Sequence, residues 1–416
     1  MGSERKRLFE NVVSLGALQG LIYIIPLISL PYLSRVLGVE KFGLVFFALA
    51  TVQYFNILTD FGFGLSATRE IAVNRHNQNN LSNIFNSVIT LKTFFLLISF
   101  LILSLVVFLV PLFRENYLIF ILSFATVLGN AINPVWFFQG MERMKYITFL
   151  NILAKSLFLF LIFVLVKNPS DYFLVPLLEG TGYIVAGLIG LWFAFKTFKI
   201  KFYIPKLNSI KRQFKYSSEF FLSRVSVSIY TNTNTFCLGL ISSPILVGYY
   251  VAAEKIYNAI LGLQGPLGDA LYPFIAKYRD INLYKKIFYI TNILNILVCI
   301  CTFTFSKQII TIFYGNNMYE AYKILMIFCF AILVTLPSRL AGYPLLGALG
   351  YTKFANLSVI LGSIVHLTGL LFLFLTRNLN IYSIAYMVVI TESIVFILRL
   401  VPIFKYNLLK EKESMV

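Results

Sequence analysis

The chain is a succession of long apolar runs with almost nothing polar between them. About twelve such runs can be marked off, at 12–34, 42–66, 84–110, 117–138, 147–166, 172–195, 217–241, 245–270, 284–305, 321–346, 354–376 and 380–403. Each is near the ~20 residues that a helix needs to cross the hydrocarbon core of a bilayer. Lipid cannot satisfy backbone polar groups, so a crossing segment is a helix or part of a closed barrel. The runs are continuous rather than alternating, which selects helices. The expected fold class is an all-α integral membrane protein with about 12 transmembrane helices.

Composition and charge agree. The chain is 59% hydrophobic and 12% charged, with a mean hydropathy of +0.82. A soluble domain carries about 25% charged residues. A net charge of +18 would suggest nucleic acid in a soluble protein. Here the charge sits between the runs, where it orients helices, and no nucleic-acid partner is expected. The start, Met1-Gly2-Ser3-Glu4-Arg5-Lys6-Arg7, resembles the opening of a signal peptide. No convincing small-residue cleavage site follows, so 12–34 is read as an uncleaved first span. Cys237, Cys299, Cys301 and Cys329 all lie in apolar runs and are expected to be small, buried and reduced.

An even number of spans places both termini on one side. Of the 35 Lys and Arg residues, 22 fall in segments on the side of the N-terminus and 7 in the opposite loops. That asymmetry puts both termini in the cytoplasm. The most basic link, 196–216, falls at the midpoint and divides the chain into 1–195, this cytoplasmic link, and 217–416. Loose similarity between 45–50 and 248–253, and between 140–146 and 347–354, suggests two six-helix halves. Six spans per half preserve orientation, so the halves would be parallel repeats, with the substrate site between them.

Ionisable groups inside spans usually face a bundle interior or a watery cavity. Lys92, Lys155, Glu179 and Glu219 lie near predicted span ends, where a long side chain reaches the interface cheaply, and Asp269 is placed with them. Others are harder to dismiss. Ser217, Arg224, Ser228, Thr231 and Thr235 follow helical spacing and mark one polar face. That face would line a cavity or form a hydrogen-bonded seam between helices. Gln53, Asn56 and Asp60 share a face, as do Tyr250, Glu254 and Tyr257, with Lys255 and Asn258 close by, and Thr335, Arg339 and Gly342. Glu392 and Arg399, two turns apart, read as a structural ion pair. His366 reads as a proton relay or as a hydrogen-bonded packing histidine. Pro26, Pro31 and Asn133-Pro134 are expected to kink their helices.

No two aspartates are close enough in sequence for an Asp-x-Asp metal site. No phosphate-binding glycine loop of the Walker type and no His/Cys cluster is present, so no metal or cofactor is expected. A membrane glycosyltransferase or polymerase usually carries a large outer loop, and none is evident here. A secondary transporter, not an enzyme, is the remaining class.

The stretch 31–43, from Pro31-Tyr32-Leu33 to Lys41-Phe42-Gly43, then Tyr54-Phe55, then 60–71 from Asp60-Phe61-Gly62 to Arg69-Glu70-Ile71, resembles the opening of bacterial Wzx-type O-antigen flippases. Trp136-Phe137-Phe138-Gln139-Gly140 is similar to a further motif of that family, which belongs to the MOP (MATE-like) superfamily. The resemblance implies a V-shaped two-lobe fold in the bacterial inner membrane. It implies flipping of an undecaprenyl-pyrophosphate-linked oligosaccharide, the O-antigen repeat unit of lipopolysaccharide, from the cytoplasmic to the periplasmic leaflet by ion-coupled alternating access. Membrane lipid, a proton or sodium ion, and polysaccharide polymerase and chain-length proteins are the partners it suggests. In that setting Arg224 would contact the pyrophosphate, with Ser228, Thr231 and Thr235 beside it and Arg35, Lys255 and Arg339 as further cationic candidates. Asp60 and Glu254 are the candidate acids for ion coupling. The alternative within the superfamily is a MATE-like drug or metabolite antiporter, which would need a smaller, more acidic cavity. The charge asymmetry predicts that a cysteine placed in 196–216 of intact cells resists a membrane-impermeant thiol reagent added from the periplasm. Labelling from that side would overturn the topology.

Overall fold

A computed structural model describes the backbone of residues 2–409 and the side chains of 25–221 and 233–409. Among these residues every regular element is a helix. Nine helical segments are long and apolar enough to cross a membrane. The twelve runs marked in the sequence all lie in helical stretches, with 42–66 crossing the α1–α2 break and 117–138 the α5–α6 break.

The chain forms two compact units, Met1–Leu240 and Ile241–Val416. The first contains α1 (Gly2–Asp60), α2 (Phe63–Asn74), α3 (Gln78–Leu109), the short α4 (Pro111–Glu115), α5 (Tyr117–Ile132), α6 (Val135–Gly140), α7 (Met144–Leu165), α8 (Leu174–Lys196) and nearly all of α9 (Leu207–Ile241). The second contains α10 (Pro244–Tyr278), α11 (Ile281–Thr304), α12 (Ser306–Tyr314), α13 (Ala321–Leu340), a π-helical segment Ala341–Gly347, α14 (Thr352–Leu375) and α15 (Ile381–Lys405).

α1 comprises two helical stretches that meet at a single non-helical residue. It bends at Gly38, whose φ of 71° and ψ of 171° belong to a region that is essentially closed to residues with a Cβ. A second break follows at Phe61 and Gly62, both at positive φ. Here the N-terminal part of α9 closes on the α1–α2 junction. A Cβ on Gly62 would lie 2.8 Å from the Phe221 backbone nitrogen and 2.9 Å from the Ser217 carbonyl oxygen. The Ser66 and Ser217 hydroxyls are 2.7 Å apart. The Phe61 ring stacks on Phe95, Phe214 and Phe221 at centroid distances of 4.4, 5.0 and 4.5 Å.

Lipid tails are as apolar as leucine, so helices in a membrane associate by close packing rather than by hydrophobic exclusion. The α5–α8 contact shows the device. A Cβ on Gly180 would fall 2.5 Å from Ala125, one on Gly129 2.5 Å from Tyr183 Cβ, and one on Gly187 2.5 Å from Ile132. In the second unit α13 is the hub, packing on α10, α11 and α15. Its apolar window is 67% buried, against 17% for α11, which presents Tyr289, Ile293, Leu297 and Ile300 outward.

Three sequence expectations about charge and thiols are corrected here. Lys92 does not reach an interface. It is 5% exposed, and it lies 14 residues into α3, about 21 Å at 1.5 Å per residue. Lys155 and Glu179 do not snorkel either. They pair with each other across α7 and α8 at 2.7 Å, with the Tyr183 ring 5.0 Å from the ammonium. Cys301 is exposed, unlike Cys299 and Cys329.

The two glycines make separable predictions. A Cβ at Gly38 would meet nothing within 4 Å, so Gly38→Ala costs backbone strain alone, roughly 1–3 kcal/mol. Gly62→Ala adds a backbone clash to strain of about 1–2 kcal/mol. Thermal unfolding of the purified protein should therefore rank wild type above Gly38→Ala and Gly38→Ala above Gly62→Ala. Equal midpoints for the two variants would contradict the close α9 contact.

Candidate functional site

Each unit holds a polar cavity where its helices break. In the first unit the α1–α2 break at Gly62 and the α5–α6 break at Asn133-Pro134 open a space of about 460 Å³. Pro134 carries no N–H and the residue before it is extended, as the sequence requires. Gln53, Asn56 and Asp60 of α1 line one wall, as their shared face foretold. Lys92 of α3 and Asn130 of α5 are added, with Trp136 and Gln139 of α6. The Asn56 and Asn130 amides meet at 3.3 Å, and Asn56 also donates to Gln53 at 3.3 Å. Asp60 is the charge that acts on Lys92. Two polar atoms of lining residues find no protein partner and carry almost no exposed surface of their own: Trp136 Nε1–H and Asn133 Oδ1, in side chains 2% and 7% exposed. Such orphans cost roughly 1–3 kcal/mol each and are rare in native structures.

The second cavity, about 580 Å³, lies against the Pro266 region of α10 and the π-helical end of α13. Gln264, Asp269, Tyr272, Arg339, Tyr343 and Arg399 line it. Asp269 is thus a cavity residue well inside α10, not a span end. Arg339 donates to the Leu261 carbonyl at 2.9 Å, just before the Pro266 kink. Arg399, expected from sequence to pair with Glu392, bonds to two other helices. Its Nε donates to Ser358 Oγ at 3.0 Å, and its Nη1 donates to the Ser338 carbonyl at 2.8 Å and to Ser338 Oγ at 3.2 Å. Gly342, the non-helical residue of the π segment, leaves room for it: a Cβ there would touch the guanidinium carbon at 3.0 Å. Behind the cavity Gln264 donates to Asn295 at 3.0 Å, and Asn295 donates to the Ile332 carbonyl at 3.1 Å. That bond supports α13 just before Pro337, which cannot donate within the helix.

The other expected residues are placed as follows. Arg224, Ser228 and Thr231 lie outside the described side chains, though α9 carries their backbone. At the two described ends of that face Ser217 and Thr235 are buried, Ser217 with its hydroxyl 2.7 Å from Ser66 Oγ. The neighbouring Thr233 hydroxyl is 3.1 Å from Tyr54 Oη. Arg35 is exposed on α1, three residues before the Gly38 bend. Glu254 and Lys255 are half-buried on α10. Tyr257 beside them meets Thr335, with Glu392, Arg339 and Glu254 within electrostatic reach. His366 is fully buried with Nδ1 2.9 Å from Thr391 Oγ1, the packing role of its two readings. No group of three His, Cys, Asp or Glu suited to a metal occurs among the described residues.

Sequence reasoning missed Lys92, Asn130, Asn133, Trp136 and Gln139 as parts of one site. The signal was partly present. Asn133-Pro134 was visible as a break, and Trp136 and Gln139 as a motif. What joins them to Asp60 is tertiary.

Comparison with known proteins supplies the lineage. The polysaccharide biosynthesis protein family matches residues 8–279. The chain is 32% identical over 297 residues to the Escherichia coli (strain K12) protein named "Putative O-antigen transporter", covering 71% of this chain and 72% of that one. It is 28% identical over 364 residues to a Shigella dysenteriae protein of the same name, covering 86% and 91%. Among solved structures, the lipid II flippase MurJ in an inward closed conformation matches with a TM-score of 0.74 at 14% identity, over 96% of this chain and 87% of that one. An inward-facing multidrug resistance MATE family transporter of the MOP superfamily matches with a TM-score of 0.67 at 15% identity, over 97% and 100%. These likenesses show that the chain shares the fold of those two proteins, and its long apolar helices make it a multi-pass, all-α membrane protein. With two thirds of its length matched, the chain belongs to the polysaccharide biosynthesis protein family.

Proposed function

We propose that the protein is a flippase. It would carry an undecaprenyl-pyrophosphate-linked oligosaccharide, an O-antigen repeat unit, from the cytoplasmic to the periplasmic leaflet of the bacterial inner membrane. The observation that carries this reading is the pair of polar, charged cavities sunk among membrane-crossing helices. A pyrophosphate cannot cross hydrocarbon unaided, and a guanidinium shielded from lipid can hold it bidentately. The names of the Escherichia coli and Shigella relatives favour the same cargo. The charge balance disfavours the drug-antiporter alternative. Arg339 and Arg399 face one acid, Asp269, in the second cavity, where a cationic drug would want acids in excess.

Within this reading both termini and the 196–216 link are cytoplasmic, and the six-helix halves meet at that link. Arg224 contacts the pyrophosphate, with Ser228, Thr231 and Thr235 along the same face. Arg35, Lys255 and Arg339 are further cations available to the headgroup. Flipping alone only equilibrates the leaflets, so net export needs a gradient or removal of product. Asp60 and Glu254 are the acids proposed to couple a proton or sodium ion to the movement.

The direct test is restoration of surface polysaccharide in an O-antigen-flippase-null strain, with protein level followed in parallel. The wild-type chain should restore it and should leave drug resistance of an efflux-null strain unchanged. The reverse pattern would replace the flippase reading with the antiporter. Arg224→Ala should lose most of the polysaccharide at a normal protein level, and Arg224→Lys should keep part of it. A fully active alanine variant removes Arg224 from the headgroup site. For coupling, Asp60→Asn or Glu254→Gln should abolish the collapse of export caused by dissipating the ion gradients. Export that stays fully gradient-dependent in both variants excludes these acids.

A further inference from the structure

We propose that the cavity of the first unit is the seat of an uncharged sugar ring of the carried oligosaccharide. The inference rests on the flippase reading and adds a subsite to it.

Charge comes first. The lining offers one cation, Lys92, and one anion, Asp60, acting on each other, so it presents no net charge. A phosphate entering would meet the Asp60 carboxylate, and an organic cation would meet Lys92. The cavity of the second unit differs, with two guanidiniums to one carboxylate. The other polar walls of the first are amide, indole and one hydroxyl, from Gln53, Asn56, Asn130, Asn133, Gln139, Trp136 and Thr59, with the apolar Ile57, Leu65 and Val135 between them. Side-chain amides donate and accept in fixed directions, which suits the hydroxyls of a sugar.

The orphaned atoms sharpen the assignment. Trp136 Nε1–H can only donate, and Asn133 Oδ1 can only accept. They stand three residues apart across the Pro134 break, in side chains that are nine-tenths buried. Trp136 packs beside Phe85 and Phe137, at ring distances of 5.4 and 6.2 Å. A sugar hydroxyl accepts and donates at one oxygen, so two neighbouring hydroxyls would suit both orphans once the lining shifts enough to open them to the cavity. The volume of about 460 Å³ lies within the range of roughly 300–1,000 Å³ usual for small-molecule sites.

The chain contains two tryptophans, and the other, Trp192, is 51% exposed on α8 and does not line the cavity. Trp192→Phe in the full-length protein therefore leaves Trp136 as the sole indole reporter. Its fluorescence in detergent is titrated with glucose, galactose, mannose and N-acetylglucosamine, and separately with inorganic phosphate and glucuronate. The expected result is a saturable change with at least one neutral sugar and none with the two anions. Half-saturation should weaken at least tenfold in Asn133→Leu and in Gln139→Leu. Gln139 is exposed to the cavity, so its replacement leaves the packed core alone if Asn133→Leu fails to fold. Silence toward every sugar, which would leave the site to water alone, overturns the proposal. A response to phosphate or glucuronate only, or sugar binding unchanged by Gln139→Leu, does the same. Complementation separates the two claims. Sugar binding at Trp136 in a protein that restores no polysaccharide rejects the flippase reading and leaves the sugar site standing. Restored polysaccharide with a sugar-blind Trp136 rejects the subsite alone.

Discussion

A backbone N–H or C=O left open in hydrocarbon has no partner, and this constraint decides where the chain is allowed to stop being helical. Of the breaks inside spans, those at Gly62, at Asn133-Pro134 and at Gly342 in the π-helical segment lie beside polar cavities, and the one at Gly38 does not. Side chains approach the helix backbone near the prolines. Asn295 donates to the Ile332 carbonyl at 3.1 Å and lies 3.5 Å from the Leu333 carbonyl, the one that Pro337 leaves without its helical donor. Arg339 donates to the Leu261 carbonyl, one residue before the carbonyl that Pro266 leaves open.

Buried charge follows the same economy of partners. Lys155 has Glu179 and the Tyr183 ring, Arg399 has three acceptor contacts on Ser338 and Ser358, and Lys92 has the field of Asp60. Removing one member of such a set strands the other, which costs more than the pair ever contributed. Arg399 and Gly342 are bound together in this sense. The glycine provides space that the guanidinium fills, so a larger residue at 342 would press on Arg399.

Much of this was legible in the chain itself. Run length gave the class and nearly all the crossings, and helical spacing placed Gln53, Asn56 and Asp60 on one wall before any wall existed. Arg339 was marked as a cavity cation for the same reason. What escaped was anything that depended on where a helix begins or on a partner far off in sequence. Lys92 was judged to be near a span end because hydropathy starts the span at 84, whereas the polar turn that begins at Gln78 extends α3 past the apolar run. Lys155 and Glu179 are 24 residues apart on different helices, and spacing rules see only one helix at a time. Arg399 was matched to the acid two turns away on its own helix, and the serines it meets belong to α13 and α14. Asn133 and Trp136 were read as a kink and a motif. Their missing hydrogen bonds are a property of the assembled pocket and leave no trace in sequence.

One consequence concerns biogenesis. α10 carries Glu254, Lys255, Asp269, Pro266 and Pro273. The helix it packs on most closely within its unit, α13, follows only after α11 and α12 have been synthesised. A ribosome feeding this chain into the membrane thus delivers the charges of α10 before the helix they pack beside. The Arg339 bond to the Leu261 carbonyl can form only once α13 has been made.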